Sequence, residues 1–287
     1  MKLNIGTPVE MYKVKGVPVY VKREDLCTPE PGPPFSKVRG LYAHMEKLKS
    51  QGVRTVGYAE SAISMAGWGV AWVAKQLGMK AIIFDPQNKN TTPELLITHR
   101  QKWDELGAER IPVPAGRTKV NYYIGTRILQ ERVPKNSIML PIGLRLRETV
   151  TETAAEWERT CEHMGGYCPR TVVVCVGSGT IAAGLLIGSF DASISICGIM
   201  AYGKFPEAKK DQIYLKAGLH FGGLSVLRQK NDIEVHGSEF SYTEASYAPC
   251  PFPTNDFYDL KAWEWLTRHV SKLKHPILFW NIGSKAK

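Results

Sequence analysis

Two short stretches hold residue types that do chemistry as a pair. In Pro33-Pro34-Phe35-Ser36-Lys37-Val38-Arg39-Gly40, a lysine stands where a Pro/Gly-rich bend turns into a helical segment. An amine near a helix N-terminus and partly out of water loses some preference for its charged form. The neutral lysine amine is the nucleophile of Schiff-base chemistry. On position alone, Lys37 could equally be one surface lysine among many. In the second stretch, Val172-Val173-Val174-Cys175-Val176 ends in Gly177-Ser178-Gly179-Thr180 and opens directly into a helical segment. Glycines let the backbone approach a ligand, and free amides at a helix start attract an anion. The motif lacks the Gly-Lys-Ser/Thr ending of a P-loop and is short of the dinucleotide fingerprint. Alone it reads either as a phosphate cradle without a lysine or as a tight strand–helix turn.

The elements that must position these residues alternate along the chain. Apolar, β-branched runs predict strands over 17–21, 53–57, 80–84, 111–113, 137–141, 171–176, 193–200, 233–235 and 276–280. Helical spacing predicts helices over 41–50, 68–77, 121–131, 148–163 and 261–270. Another helix follows the 177–180 loop, and one runs from Thr92-Pro93-Glu94 to about residue 106. The run at 171–176 is continuously apolar, as in a strand buried on both faces of a parallel sheet. The expectation is an α/β protein of two lobes, each with a mostly parallel sheet flanked by helices. Residues 1–45 and 142–287 form the larger lobe and 46–141 the smaller one.

Composition narrows the classes. The 287 residues carry 37 Lys and Arg against 27 Asp and Glu, a net charge of +10. This excess suits an anionic partner or a solvated basic surface. The charges are spread out, with no arginine-rich arm, zinc-finger spacing or RNA-binding aromatic signature. No apolar run approaches the ~20 residues of a membrane span, and residues 1–6 do not read as a secretory signal. Six cysteines, two of them inside apolar runs, suit a reducing cytoplasm. Cys161, His163 and Cys168 do not have zinc spacing, and no metal site is expected.

Lys37 and the 177–180 loop together suit a cofactor with an aldehyde at one end and a phosphate at the other, which is pyridoxal 5'-phosphate. Val19-Tyr20-Val21-Lys22-Arg23-Glu24-Asp25-Leu26, followed by Ser36-Lys37-Val38-Arg39-Gly40, resembles the N-terminal signature of fold-type II pyridoxal-phosphate enzymes. These are the tryptophan synthase β superfamily, with the cysteine synthase, threonine synthase and aminocyclopropane-carboxylate deaminase types. The order of lysine, small-residue loop and Gly-Ser-Gly-Thr loop is kept over nearly the whole chain. The resemblance implies that Lys37 forms the Schiff base beside Ser36, and that Gly177, Ser178, Gly179 and Thr180 hold the phosphate.

The family's substrate-carboxylate loop corresponds to Ser61-Ala62-Ile63-Ser64-Met65-Ala66-Gly67. This implies Ser61, Ser64, Ala66 and Gly67 toward substrate, with Glu60 available nearby. Met65 stands where an asparagine contacts the cofactor's phenolic oxygen. Methionine cannot donate that bond; with the register shifted by one residue it would pack beneath the ring. The stretch Ile277-Leu278-Phe279-Trp280-Asn281-Ile282-Gly283-Ser284 is similar to the deaminase and desulfhydrase ending. Its threonine-like position is Ile282, so a polar contact to the ring nitrogen falls to Asn281 or Ser284. Tyr242, Tyr247 and Tyr258 lie in a Pro/aromatic loop and offer a stacking or acid/base group, with Tyr247 assigned to substrate. The same aromatics could equally hold the loop together.

The resemblance implies a lyase, deaminase or β-replacement enzyme acting at Cα or Cβ of an amino-acid-type substrate, and a homodimer, since dimers are common in the group. The basic charge and the altered carboxylate loop raise a second reading. In it the enzyme decarboxylates or eliminates from an amino acid attached to a nucleic acid, such as a modified DNA base. Met65 and Ile282 raise a third, a catalytically degenerate pyridoxal-phosphate-binding module.

Overall fold

Apolar strands pair in parallel through most of two sheets. The computed structural model describes residues 3–87, 94–133, 135–190, 192–221 and 232–285. The strands are β1 (Val9–Val14), β2 (Val17–Arg23), β3 (Thr55–Ala59), β4 (Lys80–Gln87), β5 (Glu109–Pro114), β6 (Ser137–Met139), β7 (Thr171–Val176), β8 (Ser195–Met200), β9 (Asp232–His236) and β10 (Ile277–Asn281). One sheet has six strands in the order β1-β2-β10-β7-β8-β9 and the other has four in the order β5-β4-β3-β6. Every pairing is parallel except the β1–β2 hairpin. The four-stranded sheet draws only on residues 55–139, and the six-stranded sheet on the chain either side of it.

The helices are α1 (Val38–Ser50), α2 (Ala66–Leu77), α3 (Glu94–Glu105), α4 (Thr118–Arg132), α5 (Arg147–His163), α6 (Thr180–Gly188), α7 (Pro206–Phe221) and α8 (Asp259–His269). The sequence reading lacks β1 and α7. The first is an edge strand whose Glu10 and Lys13 break the apolar pattern, and the second opens on a polar run from Glu207 to Asp211. The Thr92-Pro93 helix start lies outside the described residues. Five helix starts fall earlier than expected, and two of them matter to the site. Beginning α1 at Val38 makes Lys37 its N-cap residue, and beginning α8 at Asp259 puts a carboxylate in its first turn.

Apolar residues of α1, α2, β3 and β4 form one core. The two faces of the six-stranded sheet bury two more, one under α5, α6 and α7 and one under α8. Gly40 lets α1 press directly on α5. A Cβ there would lie 2.2 Å from the Thr149 backbone nitrogen.

The Lys-Arg-Glu-Asp run builds a buried ion-pair network. Lys22 Nζ lies 3.0 Å from Glu156 Oε2 and donates to Thr7 O at 2.7 Å. Arg39 Nε donates to Glu24 Oε2 at 3.2 Å, and Arg159 Nη1 donates to Glu156 Oε1 at 2.8 Å. Arg23 grips Asp25 with Nε and Nη2, at 2.9 and 2.8 Å. These residues tie β2 and the first turn of α1 to α5. Burying charges is costly unless each finds a partner, and here each does.

Candidate active site

The carboxyl ends of β3, β7, β8 and β10 converge on a cavity of about 370 Å³. That is where ligands bind in open α/β sheets. Lys37 is half-buried in its wall. Its Nζ donates to Gly143 O at 3.0 Å and to Ser178 Oγ at 3.1 Å. Burial pushes the amine from its usual 10.5 down to about 8, and the Arg145 guanidinium pushes the same way.

Opposite stands the start of α6. Gly179, at φ +81°, is its N-cap, and no side chain caps the first amides. A Cβ at Gly179 would meet Ile213 Cγ1 at 2.8 Å, so both backbone and space require glycine. The first turn holds no acid. Ser178 Oγ and Thr180 Oγ1 lie 2.9 Å apart. Uncapped amides and two hydroxyls face an amine across one cavity. This donor set fits a molecule with a phosphate at one end and an aldehyde at the other.

The loop over residues 60–67 is shaped by Glu60. Its Oε1 accepts the Ser61 amide at 2.8 Å, and Oε2 accepts the Gly67 amide. Burial pushes this carboxyl up to about 8. Ser61, Ser64, Met65 and Ala66 line the cavity. Gly67 does not: it lies against Glu60, where a Cβ would be 2.6 Å from Oε2.

Four more expected site residues lie outside the lining. Asn281 is fully buried, with its amide nitrogen on Asp25 Oδ1 and Pro253 O and its oxygen accepting from Thr254. Ser284 lines a different hollow, and its Oγ bonds Lys285 O. Ser36 is buried beside the cavity but not in its lining, and its amide donates to Ile282 O at 2.9 Å. Tyr247 is 91% exposed on an outer hollow.

The structure adds residues that the sequence reading missed, and puts Tyr242 and Tyr258, offered there beside Tyr247, in the cavity wall. Asp259 is the one carboxylate lining the cavity among the described residues. Its Oδ1 accepts the Ile282 amide at 3.1 Å, and burial pushes it from 3.8 up to about 7. Tyr58 Oη accepts the Gly143 amide at 3.1 Å. Tyr242 Oη lies 2.7 Å from Ser61 Oγ and 3.4 Å from Tyr258 Oη, and Tyr202 packs edge-on to Tyr242. Lys119 and Arg145 stand at the rim.

Comparison with known proteins places this geometry in context. Residues 2–209 match the family described as pyridoxal-phosphate dependent enzyme. The chain is 38% identical to the glycyl-dTMP PLP-dependent decarboxylase of Pseudomonas phage M6, over 97% of this chain and 98% of that protein. It is 25% identical to the tryptophan synthase beta chain of Acinetobacter baylyi over 77% of this chain and 57% of that one. An ACC deaminase homologue superposes with a TM-score of 0.75 at 19% identity, covering 99% of this chain and 90% of the other. The L-serine ammonia-lyase of Rhizomucor miehei superposes with a TM-score of 0.67 at 14% identity, covering 99% and 95%. No helix among the described residues is long and apolar enough to cross a membrane.

Proposed function

The chain belongs to the pyridoxal-phosphate-dependent enzymes of fold type II, and on that premise we propose that it decarboxylates an amino acid carried on a thymine nucleotide. Its cofactor is pyridoxal phosphate. The observation that carries the substrate is the full-length likeness to the phage decarboxylase. The cationic rim formed by Lys119 and Arg145 supports the same reading.

When bound, the cofactor supplies an aldehyde for an amine and a ring that accepts the electron pair of a bond broken at Cα. The chain's own residues do the rest. Gly177, Ser178, Gly179 and Thr180 hold the phosphate with backbone amides and hydroxyls. Lys37, with an amine near 8, is neutral in about a tenth of molecules at pH 7, against well under a thousandth for a free lysine. That neutral fraction is the nucleophile. Asp259, the carboxyl group facing the cavity, would be the residue to share a proton with the cofactor's ring nitrogen, since Asn281 and Ser284 lie elsewhere. Ser61 and Ser64 orient the substrate's polar groups, and Met65 packs without donating. The bond to the substrate carboxylate would break and carbon dioxide would leave, and Lys37 Nζ, having taken the proton that the substrate's ammonium group gives up, would pass it to the carbon.

The test is carbon dioxide release from glycyl-modified thymidine monophosphate by the purified holoenzyme. Release that disappears in Lys37→Ala is expected, and none from the wild-type enzyme would overturn the reading. A second reading, lyase or deaminase chemistry on a free amino acid, is favoured by the Ser61 and Ser64 hydroxyls. It predicts ammonia or keto-acid release from free amino acids in the same assay. Bound cofactor with no turnover of either substrate type would leave the degenerate module.

A further inference from the structure

We infer that Cys161 and Cys168 form a redox-active dithiol outside the cavity. A small-molecule disulfide such as oxidised glutathione converts it to an intramolecular disulfide that staples the end of α5 to the start of β7.

The turn between those two elements brings the thiols together. Cys161 stands in the last turn of α5, and Cys168 three residues before β7. Their Sγ atoms lie 3.1 Å apart, about 1 Å beyond the length of a disulfide bond. The helix runs out into Gly165 and Gly166, at φ +73° and +81°, a backbone that favours glycine. The Gly166 amide donates to Cys161 O at 2.9 Å and the Gly165 amide to Glu162 O at 3.0 Å. These bonds close the helix and reverse the chain, so that Cys168 comes back to Cys161.

The other cysteines stand differently. Cys27, Cys175 and Cys197 are buried, the first donating to Phe35 O and the other two inside β7 and β8. There a thiol behaves as a small hydrophobe. Cys250 is half-buried between Pro249 and Pro251. In the pair, Cys168 is exposed and Cys161 half-buried. Burial pushes the Cys161 thiol up to about 12, and its contact with Cys168 pushes the same way. Cys161 therefore keeps its proton, and Cys168 is the thiol that meets an oxidant in solution. A metal fits the pair less well. Two thiols are half of a four-ligand zinc set. His163 turns away to Gly6, where a Cβ would meet its Cε1 at 3.3 Å. Among the described residues no three His, Cys, Asp or Glu side chains are grouped to hold an ion.

The exchange runs in two steps. Cys168 Sγ attacks one sulfur of oxidised glutathione, forms a mixed disulfide and releases one glutathione, which takes the Cys168 proton. Cys161 Sγ then attacks Cys168 Sγ and releases the second glutathione, which takes the Cys161 proton. Two protein thiols are oxidised, and one disulfide is reduced to two thiols. The new bond ties α5, which carries Glu156 of the buried network, to the strand that leads into the 177–180 loop. The cavity lies at the carboxyl end of β7, roughly 15–20 Å along the strand from its first residue. The staple therefore acts on stability and leaves the cofactor's surroundings alone.

The experiment equilibrates reduced wild-type holoenzyme with oxidised glutathione, quenches it in acid and alkylates the remaining thiols, beside Cys161→Ser and Cys168→Ser. In the wild type, six alkylated cysteines should fall to four, with a 161–168 link in the peptide masses and no glutathione retained. Cys161→Ser should stop at the mixed disulfide on Cys168, and Cys168→Ser should keep all of its thiols. The oxidised wild type should melt roughly 3–8 °C higher than the reduced form. A phosphine reductant should reverse the shift, cofactor absorbance should stay unchanged, and neither variant should shift. Six free thiols in the wild type after equilibration would overturn the inference, as would glutathione retained on its Cys168. A closed disulfide with an unmoved melting temperature would overturn the staple.

Discussion

Two groups of charged side chains are treated in opposite ways. Around Lys22, Glu24, Arg39 and Glu156, every charge is buried and paired, and the network locks β2, α1 and α5 together. Around the cavity, Glu60 and Asp259 are buried and Lys37 half-buried, none with a charged partner, and each has a pKa displaced toward its neutral form. Paired charge holds shape, whereas unpaired charge in a dry wall is kept ready for a ligand or a proton. The Lys-Arg-Glu-Asp run, which helps identify the family, therefore belongs to the frame. The chemistry belongs to residues with far less distinctive sequence surroundings.

Substitutions should separate the two groups. Lys37→Ala should lower turnover by roughly a thousandfold or more while leaving the urea midpoint within error, because only the cavity loses a group. Glu156→Gln should do the reverse. It leaves Lys22 and Arg39 buried with one partner fewer, and should cost about 3–5 kcal/mol in urea unfolding, with normal cofactor content in the molecules that fold. A Glu156 variant of unchanged stability would break the comparison.

The two buried carboxyls in and beside the cavity wall carry a pH signature. Asp259 and Glu60 bind protons more tightly in the folded protein than in the unfolded chain. Their contribution is complete below about pH 4 and is lost as pH rises through about 7 and 8. Cofactor-free protein should therefore lose stability between pH 5 and 8, and Asp259→Asn should remove up to about 4 kcal/mol of that dependence. Thermal melts of both proteins across this range check it, and identical slopes would count against an uncompensated Asp259. The smallest effect is expected at Tyr247. Its truncation to alanine should change neither kcat/KM nor the melting temperature beyond about 0.5 kcal/mol equivalent.

The strand–helix alternation was legible because parallel strands are continuously apolar and their helices are not. Lys37 and the 177–180 loop were legible because chemistry constrains residue type at each position. Asn281 was misplaced for a physical reason. β10 is buried on both faces, so its sequence has no alternation to say which side chains point to the cavity and which to Asp25 and Thr254. Asp259 was hidden in a similar way. One aspartate among loop aromatics has no period or motif, and only the early start of α8 aims it at the site. Tyr247 was favoured over Tyr242 and Tyr258 because all three share one loop, and nothing local tells which turn faces inward.

The strand order β1-β2-β10-β7-β8-β9 has a consequence for how the protein is made. β10 is made after every other strand among the described residues, yet it sits in the middle of the six-stranded sheet, joining β2 to β7. Lys37 rides on the β2 side and Ser178 on the β7 side, 141 residues apart. A nascent chain therefore carries both halves of the site, from the synthesis of Ser178 until that of β10 at Ile277–Asn281, without a strand to hold them together. Cofactor capture is then a late event of biosynthesis, and a filled site certifies a finished fold.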